Sequence, residues 1–357
     1  MSQSTAMSVF SSKLDRLAET ANLAIGMNTA PLAASLSSGC NRLAVAVGSG
    51  GSLVSADYLA VCRRSLQAAP TLVHTPMEFI LANEDITQAD VWLFSARGEN
   101  PDIKGAYRAA IKRQAGRIFI VSWNGESALA REARGVAKVE IHLVPIADKD
   151  AFLATHSLVS VLVALLRASN ACAKPSEPTG LDAVIASAAA SRTGSEFRAS
   201  LASQFKMSKT SDALLILADP RMSAMATVIE TSLWEAAICS VQWTDYRNFA
   251  HGRNVWLTLH PDRAIILSIT GESTRAAWRD VEGLIPPDIR RVHFNYDDCG
   301  RFQNLLGVLD GLVIVEAMGV ATGIDPGRPG VAEFATPLYY DATLERLADQ
   351  LTPAPRR

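Results

Sequence analysis

The chain has 357 residues, enough for about two domains. Hydrophobic residues make up 48% and charged residues 20%, a composition that can fill sizeable cores. The 34 Lys+Arg and 36 Asp+Glu nearly cancel. That balance argues against nucleic acid or an anionic membrane as the main partner, since both select a basic face.

The N-terminal stretch MSQSTAMSVFSSKLDRLAE lacks a basic segment followed by an apolar one, so no signal peptide is expected. Five cysteines (Cys40, Cys62, Cys172, Cys239, Cys299) are odd in number and form no CxxC. They fit a reducing, cytoplasmic setting better than a disulfide scaffold. The longest apolar run lies around Leu158–Leu166, far short of the roughly 20 residues that span a bilayer, and reads as a buried helix.

In chain order, strand-like runs fall at Leu43–Val47, Thr71–His74, Val91–Phe94, Arg117–Ser122 and Val139–Leu143. Amphipathic helical stretches such as Asp102–Gln114 and Ser127–Arg134 lie between them. Ala173–Gly180 (AKPSEPTG) reads as a linker, with two prolines and a glycine. Beyond it, strand-like runs recur at Ala213–Ala218, Cys239–Trp243, Val255–Leu259, Ala264–Ile269 and Arg291–Asn295. Apolar strands alternating with helices imply parallel sheets covered on both faces. The expected fold is α/β, two tandem doubly wound domains, residues 1–175 and 176–357, with a frayed tail at 352–357.

The halves resemble each other. Val91–Asn100 (VWLFSARGEN) and Ala264–Ser273 (AIILSITGES) share Ser-x-x-Gly-Glu, and Ile118–Ser122 matches Val292–Tyr296 at a similar offset. Thr75–Phe79 (TPMEF) and Thr244–Phe249 (TDYRNF) follow corresponding strands. Several matches in one order favour a tandem duplication over chance.

Three motifs point to chemistry. Val47–Ser52 (VGSGGS) joins a strand to a helix. Its glycines admit an anion to the backbone, and the helix N-terminus and the hydroxyls of Ser49 and Ser52 supply donors. It lacks the third glycine of a dinucleotide fingerprint, because Leu53 stands there, and it has no Gly-Lys-Ser/Thr. Ser95–Asp102 (SARGENPD) is a second strand–turn–helix. Ser95 and Asn100 can donate at the carboxyl edge of the sheet, where open α/β sheets bind ligands, and Arg97 adds a charge. Asn100–Pro101–Asp102 also reads as plain helix capping. In the third, Ser232–Arg253, Glu235 sits in an apolar helix and His251 in a loop. A carboxyl in such a setting suits a general base, and histidine carries protons near neutral pH. A structural salt-bridged role is the competing reading for Glu235. The six histidines show no metal-ligand spacing, and no cofactor or metal is expected.

Taken together, these motifs resemble the SIS (sugar isomerase) family, in its two-domain form, from about Leu32 to Tyr340. VGSGGS is similar to the family's first phosphate turn, TPMEF to its Ser-Glu-Phe segment, and SARGENPD to its Ser-x-Ser-Gly-Glu-Thr loop. DKDAFLATHSLVSVLVALL is similar to the helix that closes its first domain, and GIDPGRPGVAEF to its C-terminal strand-loop. Glu235 and His251 stand sixteen residues apart, as do the family's base and ring-opening histidine, with AHG matching its loop. The resemblance implies an open-chain sugar phosphate or amino-sugar phosphate held by Ser49, Gly50, Ser52, Ser95, Arg97 and Asn100. It implies Glu235 as base, His251 for ring opening, and a homodimer whose neighbour lends the histidine.

Two departures stand out. Arg97 replaces the family's second loop serine, which points to a larger or more acidic ligand. The family's terminal lysine is missing, and all eight lysines precede residue 210. A Schiff-base route is thereby excluded, while an enediol isomerisation survives. The chain is expected to be a phosphosugar isomerase or deglycase, or alternatively a sugar-phosphate sensor without chemistry.

Overall fold

The computed structural model of the chain describes residues 8–173 and 180–351. Apart from its two end residues, the expected linker lies outside the described residues, as does the tail at 352–357. Among the described residues, the strands form two sheets, both wholly parallel.

The first sheet runs in the order β2-β1-β3-β4-β5. Its strands are β1 (Ala44–Val47), β2 (Thr71–His74), β3 (Asp90–Phe94), β4 (Arg117–Ser122) and β5 (Val139–Leu143). The central strands β1 and β3 are buried along their whole length, which is why they read as continuous apolar runs. The second sheet runs β7-β6-β8-β9. Its strands are β6 (Ala213–Ala218), β7 (Ser240–Thr244), β8 (Ala264–Thr270) and β9 (Arg290–Asn295).

The two sheets wind alike: each begins on an inner strand, goes one way, then crosses to the other side. Corresponding turns are capped alike. After β2, Thr75 caps a helix through a reciprocal pair with Glu78, and after β7 Asp245 caps the next. The Ser-x-x-Gly-Glu match does not carry over. Asp90 of β3 and Ala264 of β8 both pair with the first residue of their inner strand, but β8 runs two residues longer. Ser268 is therefore inside a strand and fully buried, while Ser95 lies in a turn.

Val255–Leu259, expected as a strand, is a short helix. Only Leu257 of it is buried, and β8 begins five residues later. That leaves no room for the dozen-residue crossover that a parallel neighbour needs.

The chain groups into two compact units rather than the two halves expected from a cut at 175/176. Among the described residues, one comprises 17–150, 154–173, 180–187 and 330–351; the other comprises 8–16, 151–153 and 188–329. The physical reason lies at the ends. The C-terminal helix Thr343–Gln350 buries Leu344 and Ala348 in the core of the first-sheet unit. A Cβ on Gly105, in the helix Pro101–Lys112, would come within 2.7 Å of the Leu344 carbonyl, so glycine lets the two helices touch. Glu345 clips them together through Lys104 at 3.0 Å and Arg108 at 2.8 Å. In the other unit, Asp325 accepts the Val9 and Phe10 N–H groups at 2.8 and 3.2 Å, capping the helix Val9–Asp15. Arg198 there bridges Asp15 and Glu316.

The helix Arg301–Thr322 has 22 residues and is the one described helix long and apolar enough to span a membrane. It exceeds the apolar run at Leu158–Leu166. Here it is a core element, buried from Asn304 to Gly319, with Gly307 against Met222 and Met225 and Gly311 against Val228 and Ile229.

Candidate functional site

Ligands of open parallel sheets bind beyond the carboxyl ends of the strands, where the chain changes direction across the sheet. In the first sheet that point lies between β1 and β3. After β1, the turn Gly48–Gly50 leads into the helix Gly51–Ser65. Gly50 adopts φ 53° and ψ −131°, a backbone state closed to residues with a side chain. A Cβ on Gly51 would collide with that of Ala154, so the loop before the helix His156–Cys172 lies directly on the turn.

After β3, Ser95 accepts the Gly98 N–H at 3.1 Å, closing the turn. Asn100 caps the helix Pro101–Lys112, accepting the Asp102 N–H at 2.7 Å, so the capping role expected of it is the one seen. Arg97 projects to solvent, with Nη2 3.4 Å from the Asp150 carbonyl. At the end of β4, Ser122 donates to the Ala96 carbonyl at 2.9 Å and ties the β3 and β4 turns together.

These turns line a small, partly open pocket at the carboxyl edge of the sheet. Gly51, Ser52 and Ser55 line it from the first helix, Ser95 and Ala96 from the β3 turn, Ser122 and Trp123 from the β4 turn, and Ser157 from the later helix. Of the residues expected from sequence, Ser52 and Ser95 come together on its wall. Ser49, Gly50, Arg97 and Asn100 stand outside that lining. Sequence reasoning missed Ser55, Ser122, Trp123 and Ser157. Ser122 ends an apolar strand that pairs beside β3, and Ser55 follows Ser52 one turn later on the same helix, a spacing the sequence itself displays.

Asp150 organises the far wall. Its Oδ1 accepts the N–H groups of Thr155 and Ser157 at 3.0 and 3.1 Å and the Thr155 hydroxyl at 3.2 Å, and Oδ2 accepts the Ser157 hydroxyl. Thr155 and Ser157 are both nearly inaccessible to solvent. The indole Nε1–H of Trp123 is buried and has no acceptor among the described residues.

Glu235 and His251 belong to the other unit. Glu235 ends the helix Ser223–Glu235 and accepts the Thr231 hydroxyl at 2.9 Å. The residue is solvent-exposed. Desolvation pushes its pKa up and Glu230 adds to the rise, against the pull of Thr231. His251 lies in a wide π-type turn, Phe249–Arg253, where Gly252 takes φ 103°; it is exposed. Among the described residues, no hydrogen bond or ion pair joins the two.

Two buried carboxylates of this unit escaped the sequence reading. Asp219, directly after β6, accepts Nε and Nη2 of Arg221 at 2.9 and 2.6 Å and the Thr274 hydroxyl at 2.9 Å. Burial pushes its pKa up, but these donors outweigh it and bring it down to about 2. Burial and Asp219 together push the nearby Cys299 thiol up to about 12, so it stays protonated. Asp310, in the helix Arg301–Thr322, accepts the Tyr296 hydroxyl at 2.7 Å and lies 3.5 Å from Arg192. Burial nonetheless pushes its carboxyl up to about 6. Among the described residues, no group of three His, Cys, Asp or Glu is placed to hold a metal ion.

No protein-family model and no curated protein matches the sequence. Solved structures do match the fold. The C-terminal domain of glucosamine-fructose-6-phosphate aminotransferase from Francisella tularensis superposes with a TM-score of 0.71 at 12% identity, over 91% of this chain and 99% of that one. Glucosamine-6-phosphate deaminase from Thermotoga maritima gives 0.69 at 13% identity, over 91% and 98%. Tagatose-6-phosphate ketose/aldose isomerase from Escherichia coli gives 0.67 at 12% identity, over 93% and 98%. The chain has the two-domain SIS fold, as its motifs implied.

Proposed function

We propose that the chain binds an open-chain sugar phosphate or amino-sugar phosphate and moves a proton between C1 and C2, as an aldose–ketose isomerase or a deglycase. The observation that carries this reading is the hydroxyl-lined pocket at the β1/β3 crossover. Hydroxyls, a glycine turn and two helix N-termini converge there, an arrangement suited to a phosphate. In this reading Ser52 and Ser95 hold the phosphate, Ser49, Gly50 and Asn100 border it, and Arg97 stands beside it. Three proteins of the same fold are named for hexose phosphates or amino-sugar phosphates, which supports the substrate class.

Glu235 is the proposed base. Its raised pKa suits removing a proton from C2 and returning it to C1. His251 is the proposed acid for ring opening, contributed by a second copy in a homodimer, as the motif resemblance implies. The reaction needs neither lysine nor cofactor, and the reading places the protein in the cytoplasm.

Incubation with fructose 6-phosphate in deuterated water, followed by NMR, tests this. Wild type should incorporate deuterium at the carbon bearing the transferred proton. Glu235→Gln should lose exchange at least about 100-fold while still binding the sugar phosphate. Full exchange in Glu235→Gln would refute the mechanism. A binding-only sensor is the second reading, favoured by one observation: no titratable side chain lines the pocket among the described residues. Binding without exchange in the wild type would establish it.

A further inference from the structure

We propose that the ligand of the hydroxyl pocket carries a second anionic group, a carboxylate or another phosphate, read at the rim by Arg97 and Lys149. The proposal rests on the phosphate reading of the pocket given above, and names the class of molecule that such a pocket selects.

The pocket wall itself is neutral, built of serine hydroxyls and apolar side chains with one indole. Two cations stand just outside it. Arg97 follows two lining residues, Ser95 and Ala96, and its guanidinium leans on the Asp150 carbonyl at 3.4 Å. Lys149 precedes Asp150, and its Nζ lies 6.0 Å from the ring centroid of Trp123, which is itself part of the wall. Both cations are exposed and both border the same loop. The Trp123 indole stands beside them with a buried Nε1–H that has no acceptor.

Surface cations ordinarily sit beside carboxylates. Here the nearby carboxylates are occupied. Asp150 is taken by Thr155 and Ser157, Asp148 by the Lys149 N–H at 2.8 Å, Glu99 by the Ala128 N–H at 3.1 Å, and Glu126 by Arg134 at 2.9 Å. Among the described residues, neither Arg97 nor Lys149 forms an ion pair with a carboxylate. Two cations without an ion-pair partner, and a buried indole N–H without an acceptor, therefore border a pocket whose own lining carries no charge. The rest of a ligand anchored there would leave across this rim. An acidic group on it would meet the Arg97 fork and the Lys149 ammonium, and a hydroxyl would leave both without partners.

The test compares three probes by calorimetric titration: glucose 6-phosphate, 6-phosphogluconate and gluconate. 6-Phosphogluconate adds a carboxylate to one end of a sugar-phosphate chain, and gluconate removes the phosphate. Two exposed ion pairs are worth about tenfold in affinity, so wild type should bind 6-phosphogluconate about tenfold more tightly than glucose 6-phosphate, with gluconate weakest. The preference should shrink as salt is raised. In R97Q/K149Q the ratio of the two phosphate affinities should fall to about one. Equal affinities in wild type, or a ratio that survives in R97Q/K149Q, would overturn the proposal and leave the phosphate reading standing. If neither phosphate compound binds, both fall together.

Discussion

Replacing Asp150 with alanine removes one carboxylate from four donors at once. Two are backbone N–H groups at the start of the helix His156–Cys172, and two are the hydroxyls of Thr155 and Ser157. Those two side chains have almost no access to water. They cannot exchange the lost acceptor for solvent without opening the helix start. A lost helix cap costs about 0.5–2 kcal/mol. A hydroxyl bond to a charged acceptor adds about 1.5–3 kcal/mol. Because the bonds share one acceptor they do not simply add, and about 2–4 kcal/mol is the expected local cost. Hydrogen exchange reads this directly. The Thr155 and Ser157 amides should exchange about a hundredfold faster in Asp150→Ala, while those of β6 and β8 in the other unit stay unchanged. Phosphate affinity should fall as well, because Ser157 loses the partner that orients it. Unchanged protection at Thr155 and Ser157 would refute the assignment of Asp150 as the organiser of that wall.

Two further predictions concern acid. Asp219 is held at about 2, below its ordinary 3.8, so its stabilising contribution is complete above about pH 4 and disappears as the pH falls toward 2. That contribution is about 2 kcal/mol, and urea unfolding across this range should show it in wild type and not in Asp219→Asn. Asp310 has the opposite sign. Its folded carboxyl titrates at about 6, so ionising it costs stability above that pH, and the cost fades as the pH falls from 6 toward 4. Asp310→Asn should therefore be more stable than wild type by about 2–3 kcal/mol at pH 8, with the gap closing by pH 4; a variant weaker than wild type at pH 8 would contradict this.

Strands were legible where both faces are buried. Arg117–Ser122 and Ala213–Ala218 read as unbroken apolar runs, and both are strands with the expected bounds. Val255–Leu259 has the same composition but lies too close to β8 to pair beside it in parallel, a constraint of connection length that composition does not carry. The turn glycines and Ser52 and Ser95 were legible because a strand, a glycine and a helix in succession have few geometries. Ser122 and Ser157 were not, because each is brought to the pocket by neighbours distant in sequence: one by strand order, the other by the Asp150 loop. The two sheets share a winding that the repeat hinted at. The repeat's most persuasive letters, Ser95 and Ser268, are nonetheless out of register. The end segments were invisible to a search for one linker. Their allegiance is set by Asp325, Glu345 and Gly105, which are contacts rather than patterns.

The exchange of ends bears on biosynthesis. The helix Pro101–Lys112 is made about 230 residues before the helix Thr343–Gln350 that covers it. At about 5–20 residues per second, that interval lasts about 10–50 s. For most of it, once β5 (Val139–Leu143) has been made, the first sheet is complete while the apolar surface destined for Leu344 and Ala348 still lacks its cover. The first unit synthesised is thus the last one sealed, and the stretch around Gly105 is where a chaperone would find its target.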